Sequence, residues 1–274
     1  MPEAIPPKAQ PDLFFTLPTA IYHILPTPMS DFNNHNAHQR DALLSFNPAD
    51  HVYTHNGRTL RSVTNFVEDC FEKFDADYWA PKLALKYGIS EQELKAQWDA
   101  KSENARRLGT LLHAKIEHHY LGQPQETDET FRLFEQFSDQ YRLNPYRTEW
   151  AIYDEEMGIA GTLDFLDYTD GSFTIYDWKR TDKIIENGRP VITSRYNKTA
   201  LPPINSIPDT TFWHYALQVS IYRYILERNY GINVQAGKLA IFHPSYDTYH
   251  VVEVPYLKEE IKLLFPPNKI NQRN

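Results

Sequence analysis

The chain has 274 residues, 28 basic and 36 acidic side chains, and a formal charge of −8 at pH 7. Its 41% hydrophobic and 23% charged composition is that of a globular protein long enough to bury a sizeable core. A single cysteine, Cys70, excludes an internal disulfide, a four-cysteine iron–sulfur cluster and a cysteine zinc site. No apolar run approaches the ~18 residues of a membrane span. The N-terminus lacks the cationic, apolar and small-residue succession of a secretion signal, and its first arginine is Arg40, against an Arg-rich presequence. These features predict a non-secreted cytoplasmic protein with no membrane partner. The acidic balance argues against a nucleic-acid partner, so positive charge serving one must be local.

Residues 1–50 are proline-rich and show no period of 2 or 3.6, which predicts an irregular arm anchored by Phe14, Phe15, Ile21, Tyr22 and Ile24. Asn56-Gly57, between extended flanks in His51–Leu60, predicts a hairpin, because both residues accept φ > 0. A helical region follows over 62–145. Pro81 opens one short helix and Gly88 closes it. Ser90 to Glu93 form a capping box for the next helix, which carries Leu94, Trp98, Ala105, Leu108, Leu112, Ile116 and Tyr120 and stops at Gly122. A further helix is expected over about 129–141.

From Thr148 the period becomes 2, giving a three-strand meander, and a helix over 212–230 and two more strands complete a core over 146–255. One domain over 51–265 is expected, of mixed α/β class, with 266–274 as a tail. Asp170-Gly171 is the obvious turn between the second and third meander strands, so positions whose numbers sum to 341 should stand opposite. Asp164 then faces Asp177, with Cβ atoms about 4.5–5.5 Å apart, and Lys179 points to the same face. That face carries Leu166, Phe173 and Ile175; the other carries Leu163, Phe165, Tyr176 and Trp178. Two opposed carboxylates on an apolar face repel and are costly to desolvate. Two readings stand: a shared divalent cation, Mg²⁺ or Mn²⁺ by its oxygen ligands, or a solvated rim with one aspartate bridged to Lys179.

Three features add to the first reading. Gly109 precedes His113 by one helical turn, with Glu117 a turn beyond. Glu149 begins the first meander strand, within reach of a metal or its water shell. Gln218 and Tyr222 are spaced i, i+4 within an apolar helix, where a glutamine needs a partner.

In this order, G-x-x-x-H (Gly109, His113), Glu149, G-x-x-D (Gly161, Asp164), D-x-K (Asp177, Lys179) and Q-x-x-x-Y (Gln218, Tyr222) resemble the RecB-like branch of the PD-(D/E)XK nuclease superfamily. Trp178 stands where many relatives have an acidic residue, and D-W-K is common in this branch. The segment from Leu60 to Thr64, with Trp98 before the histidine helix, looks like the family of the mitochondrial genome maintenance exonuclease and its phage and bacterial relatives. The missing cysteine quartet separates the chain from the branch's iron–sulfur members.

The resemblance implies a restriction-endonuclease-like core, a central mixed β-sheet flanked by helices, and an N-terminal helical arch that threads a single strand, with stacking on Trp79 or Trp98. It implies that His113, Asp164, Asp177 and the backbone carbonyl of Trp178 hold one or two Mg²⁺ or Mn²⁺ ions, with Glu149 joining through water. Lys179 would position or deprotonate the attacking water, and Gln218 and Tyr222 would orient the strand or hold the metal-binding hairpin. Ser62 and Thr64 would meet phosphates at a helix start. Arg180, Lys183, Arg195 and Lys198 would meet DNA from a stretch, 179–198, that has six basic residues against Asp182 and Glu186. The implied activity is a DNA exonuclease leaving 5′-phosphates, bacterial or phage-encoded, in replication, repair or recombination alongside unidentified protein partners. An endonuclease of the same fold, a catalytically silent DNA-binding or scaffold subunit, and an acidic protein-binding regulator are the alternatives.

Overall fold

The computed structural model describes residues 31–266. Its first regular pieces fall inside the expected irregular arm. Helix α1 (Phe32–His35) is one turn capped by Asp31, a 3₁₀ turn covers Asp41–Leu43, and strand β1 (Leu44–Asn47) follows. β1 pairs antiparallel with β2 (Val52–His55), from Leu44 opposite His55 to Asn47 opposite Val52. Four residues on a mostly exposed strand carry too few positions to show a period. The domain therefore begins by residue 31 rather than 51. The expected anchors Phe14 to Ile24, and the tail from 267, lie outside the described residues.

Asn56 and Gly57 take φ of 49° and 78°, and the hairpin continues into β3 (Arg58–Ser62). Ser62 Oγ then accepts the Asn65 N–H at 3.1 Å and caps α2 (Val63–Glu68). Helix α3 (Ala76–Tyr87) starts earlier than Pro81 predicts. Asp75 caps it by accepting the Tyr78 N–H, and Pro81 sits inside, while Gly88 at φ 68° ends it as expected. Ser90 caps α4 (Glu91–Tyr120), and Gly122 at φ 70° follows its end. Along α4 only Leu94, Leu112, Ile116 and Tyr120 are buried, so the C-terminal half meets the sheet. Helix α5 (Glu129–Gln140) packs beside it through Phe131, Phe134 and Phe137.

Three long strands, β4 (Pro145–Asp154), β5 (Ile159–Thr169) and β6 (Ser172–Lys179), form the meander. A two-residue ribbon, β7 (Ile185–Glu186) with β8 (Arg189–Pro190), lies in the connection to α6 (Thr211–Ile225), which a π turn extends to Gly231. Strands β9 (Val234–Ile241) and β10 (His250–Val254) and helix α7 (Lys258–Leu264) complete the chain. The sheet runs β1-β2-β3-β5-β6-β9-β10, with β4 on the other edge of β5. It is mixed: β3–β5 and β6–β9 pair in parallel, the rest antiparallel. Helices α2, α6 and α7 cover one face over Leu166, Ile175 and Leu239. Helices α4 and α5 cover the other over Phe165, Tyr176 and Trp178; Leu163, expected there, packs with the first cluster. Among the described residues no helix is long and apolar enough to cross a membrane.

The feature that positions the site is a fork. β6 pairs with β5 from Thr169 opposite Ser172 to Phe165 opposite Tyr176, the register expected from the Asp170-Gly171 turn. At the next position the ladder ends, and β6 continues with β9 from Asp177 to Lys179. On the same edge of β5, β3 pairs only at Ile159 and Ala160. Gly161 to Asp164 thus face an opening between two strands.

Candidate metal centre

Where the β5–β6 ladder stops, the Trp178 backbone groups that would have bonded to β5 need other partners. Two side chains supply them. The Trp178 N–H donates to Asp164 Oδ2 at 2.8 Å, and His113 Nε2 lies 2.9 Å from the Trp178 carbonyl oxygen. A carbonyl only accepts, so Nε2 carries the hydrogen and Nδ1 is the free ring position. That Nδ1 lies 3.6 Å from Glu149 Oε1 and 3.6 Å from Asp164 Oδ1. Helix α4 brings His113 there because Leu112 and Ile116, on either side of it, are buried against the sheet.

Glu149 reaches the group through an unusual backbone. Thr148 pairs with Phe165 and Trp150 with Leu163, so Glu149 stands across from Asp164, but its φ is +44°. A left-handed glutamate inside a strand is strained, and such strain concentrates at functional sites.

Asp177 is 1% exposed and Lys179 Nζ lies 2.6 Å from its Oδ2, an ion pair in which neither carboxylate oxygen gains a well-formed hydrogen bond. The Lys179 ammonium also sits 4.3 Å from the centre of the Tyr215 ring. Burial, with repulsion from Asp164, pushes the Asp177 carboxyl up to about 6 despite Lys179. Burial also lifts Asp164 above its ordinary value, against the pull of His113 and Lys179. For His113, burial lowers the pKa, but Asp164 and Glu149 outweigh it and push the imidazole up to about 9.

The donor set fits a divalent cation. One atom each from His113, Glu149 and Asp164 lie within 4.8 Å of one another. Octahedral ligands at about 2.1 Å from a Mg²⁺-sized ion stand about 3 to 4 Å apart, so small side-chain movements suffice. The His113 arrangement, one nitrogen on a backbone carbonyl and the other facing carboxylates, is the usual support for a metal-binding imidazole. Without a proton or a cation at Nδ1, its lone pair would face two carboxylate oxygens.

This grouping differs from the expected ligand set. Glu149 stands in the group, its Oε1 3.6 Å from His113 Nδ1. Asp177 is not among the three, because it turns to Lys179. The Trp178 carbonyl lies 2.9 Å from His113 Nε2 and retains a second lone pair. The solvated-rim alternative also fails in part: Asp177 is bridged to Lys179, but buried.

Gln218 Nε2 donates to Tyr222 Oη at 3.1 Å, both buried, and the pair explains a motif glycine. A Cβ on Gly161 would lie 2.7 Å from Tyr222 Cε1 and 3.0 Å from its hydroxyl, so the strand can approach α6 only with glycine there. Gly109 is different: a Cβ there meets nothing within 4 Å, which leaves space one turn from His113. Tyr215 escaped the sequence reading. Its signal was available, since 215, 218 and 222 share one face of a helix.

The expected DNA contacts are largely engaged elsewhere. Ser62 is buried and used as a helix cap, and α2 has only six residues; Thr64 is exposed. Arg180 Nε donates to Thr130 Oγ1 at 3.2 Å, Arg195 pairs with Glu186 at 2.6 Å, and Lys198 pairs with Glu72 at 2.9 Å. Lys183 is exposed with no acidic partner among the described residues. The local positive charge is therefore smaller than the count over 179–198 suggests, since Glu72 lies outside that stretch.

No family model and no curated protein matches the sequence. Among solved structures the chain is similar to the crystal structure of SSO0001, at 18% identity over 78% of this chain and 76% of that one, with a TM-score of 0.32. Likeness at that level carries no argument about activity.

Proposed function

We propose that the chain is a metal-dependent DNA nuclease of the RecB-like PD-(D/E)XK type, acting as an exonuclease on single strands or frayed ends and leaving 5′-phosphates. The observation that carries the reading is the convergence of His113, Glu149 and Asp164 at the strand fork, beside the buried Lys179–Asp177 pair. The ordered motifs from Gly109 to Tyr222 support it. The cation is Mg²⁺ or Mn²⁺, and the imidazole nitrogen favours Mn²⁺. When bound, it would supply Lewis acidity toward the phosphate and make water a better nucleophile.

The chain's own residues do the rest. Glu149 and Asp164 hold the cation from adjacent strands, and the Trp178 carbonyl fixes the His113 ring so that Nδ1 faces them. Lys179, kept protonated by Asp177 and Asp164, carries positive charge toward a phosphate and can align the attacking water. Exposed Phe74, Tyr78 and Trp79 on and before α3, with Lys82 Nζ 3.3 Å from the centre of the Tyr78 ring, offer stacking surfaces with a cation among them, which favours a single-stranded substrate. A cytoplasmic place in replication, repair or recombination accords with this reading.

The test is a time course on end-labelled single-stranded and duplex DNA with Mn²⁺, Mg²⁺ or chelator. Cleavage is expected with metal only, and lost in Asp164→Ala and Lys179→Ala proteins that remain folded. Wild-type rates in either variant would reject the site. Circular single-stranded DNA separates exonuclease from endonuclease.

A further inference from the structure

Strand β4 has β5 on one edge, and its other edge is held by a segment far away in sequence. Asn36 Nδ2 donates to the Tyr146 carbonyl at 3.0 Å. Arg147 Nη1 donates to the Asn36 carbonyl at 2.9 Å and to Asp41 Oδ2 at 2.8 Å. The Asn33 side chain makes two bonds to Thr148: Oδ1 accepts its N–H at 3.0 Å, and Nδ2 donates to its Oγ1 at 3.1 Å. Trp150 Nε1 donates to Asp41 Oδ1 at 2.8 Å. Residues 146, 147, 148 and 150 are all gripped from 33–41. The residue left between them is Glu149, the one with φ +44° and a carboxylate in the donor group.

We infer that residues 33–41 form a clip that holds Glu149 in its left-handed conformation against His113 and Asp164, with Asn33 as its chief positioning residue. The inference rests on the metal reading of the site for its functional consequence. A left-handed glutamate persists only where its surroundings over-determine it. Asn33 acts on the adjacent residue by fixing both the N–H and the hydroxyl of Thr148, as a neighbouring strand would fix only the backbone. Phe32, buried among α4 and α5 residues, anchors the turn from which Asn33 projects. Asn33 touches no donor atom, so its part is to orient Glu149 through Thr148.

The experiment compares full-length wild type, Asn33→Ala and Asn36→Ala by Mn²⁺ calorimetry, thermal melting in chelator, and a metal-free crystal structure of Asn33→Ala. Both variants lose hydrogen bonds to β4, so both lower Tm. Asn33→Ala is expected to weaken Mn²⁺ binding by about 10- to 100-fold, the usual effect of removing a residue that orients a ligand, and Asn36→Ala, whose bond falls three residues from Glu149, by much less. In its structure Glu149 should return to negative φ, with its carboxylate farther from His113 Nδ1. If Asn33→Ala does not fold, Thr148→Val removes one of the two bonds and should weaken Mn²⁺ binding several-fold. Unchanged Mn²⁺ affinity, or Glu149 still at positive φ, overturns the clip. Wild type that binds no Mn²⁺ overturns the metal reading instead, and the backbone of Glu149 in Asn33→Ala then decides on the clip alone.

Discussion

Replacing Asp177 by asparagine is expected to stabilise the metal-free protein while impairing its function. The carboxyl is 1% exposed and has one ion-pair partner, and its pKa is pushed from 3.8 up to about 6. The folded state therefore holds the proton more tightly than the unfolded state. Below about pH 4 both states are protonated and nothing is lost; as pH rises from 4 to 6, ionisation subtracts from stability, and above 6 the full penalty applies. A rise of that size corresponds to about 3 kcal/mol, with the attraction of Lys179 already included. An unpaired buried amide returns about 1–2 kcal/mol of that gain. The net stabilisation of Asp177→Asn at pH 7.5 in chelator is then about 1–2 kcal/mol, a Tm increase of about 2–6 °C for a chain of this length. The assay is thermal melting of both proteins across pH 4 to 8. The gain should shrink as pH falls from 6 towards 4. A variant less stable than wild type at pH 7.5, or a difference indifferent to pH, would refute the reasoning.

Gly161→Ala should lower stability by about 1–3 kcal/mol, because the new methyl meets the buried Tyr222 ring, and the variant's urea midpoint measures it. His113, raised to about 9, contributes stability that is complete below pH 6.5 and lost as pH rises through 9. The metal-free wild type should accordingly lose its Tm advantage over His113→Asn across that interval. Since Nδ1 must shed its proton to take a cation, calorimetry at pH 7.5 should show proton release on Mn²⁺ binding, seen as a heat that depends on the buffer. Tyr215→Leu removes the ring beneath Lys179 and should slow cleavage about tenfold, whereas Tyr215→Phe, which keeps the ring face, should stay near wild type.

The parts of this molecule legible in its sequence are those set by local chemistry. Two turn dipeptides with φ > 0 at both positions set two hairpin registers, but the Asp170-Gly171 register runs only to Phe165 opposite Tyr176. The expected cross-strand pair of Asp164 and Asp177 is therefore not formed; Asp164 turns to the Trp178 N–H and Asp177 to Lys179. Ser90, Gly88 and Gly122 marked helix ends because caps act within one turn. What stayed hidden depends on distant partners or on backbone choices without a residue-type signal. Pro81 suits a helix start, yet Asp75 caps first. β1 is too short for a pattern. No pattern marks a glutamate as left-handed, so Glu149 reads as an ordinary strand residue. The ladder's end at Phe165 and Tyr176, beyond which the Trp178 N–H meets Asp164 and its carbonyl meets His113 rather than the β5 backbone, has no residue-type signal, while β9 pairs along the other edge of β6 throughout. Neutralisation of Lys198 by Glu72 joins residues 126 positions apart, beyond the reach of a charge count along the chain.

The account stands on a cation held between α4, β4 and β5, and anomalous diffraction from crystals soaked in Mn²⁺ examines that most directly. A peak about 2.1 Å from His113 Nδ1 and from one oxygen each of Glu149 and Asp164 is the expected result. A map with no peak among those three atoms at saturating Mn²⁺, or a histidine that turns Nε2 from the Trp178 carbonyl to meet the ion, would contradict it.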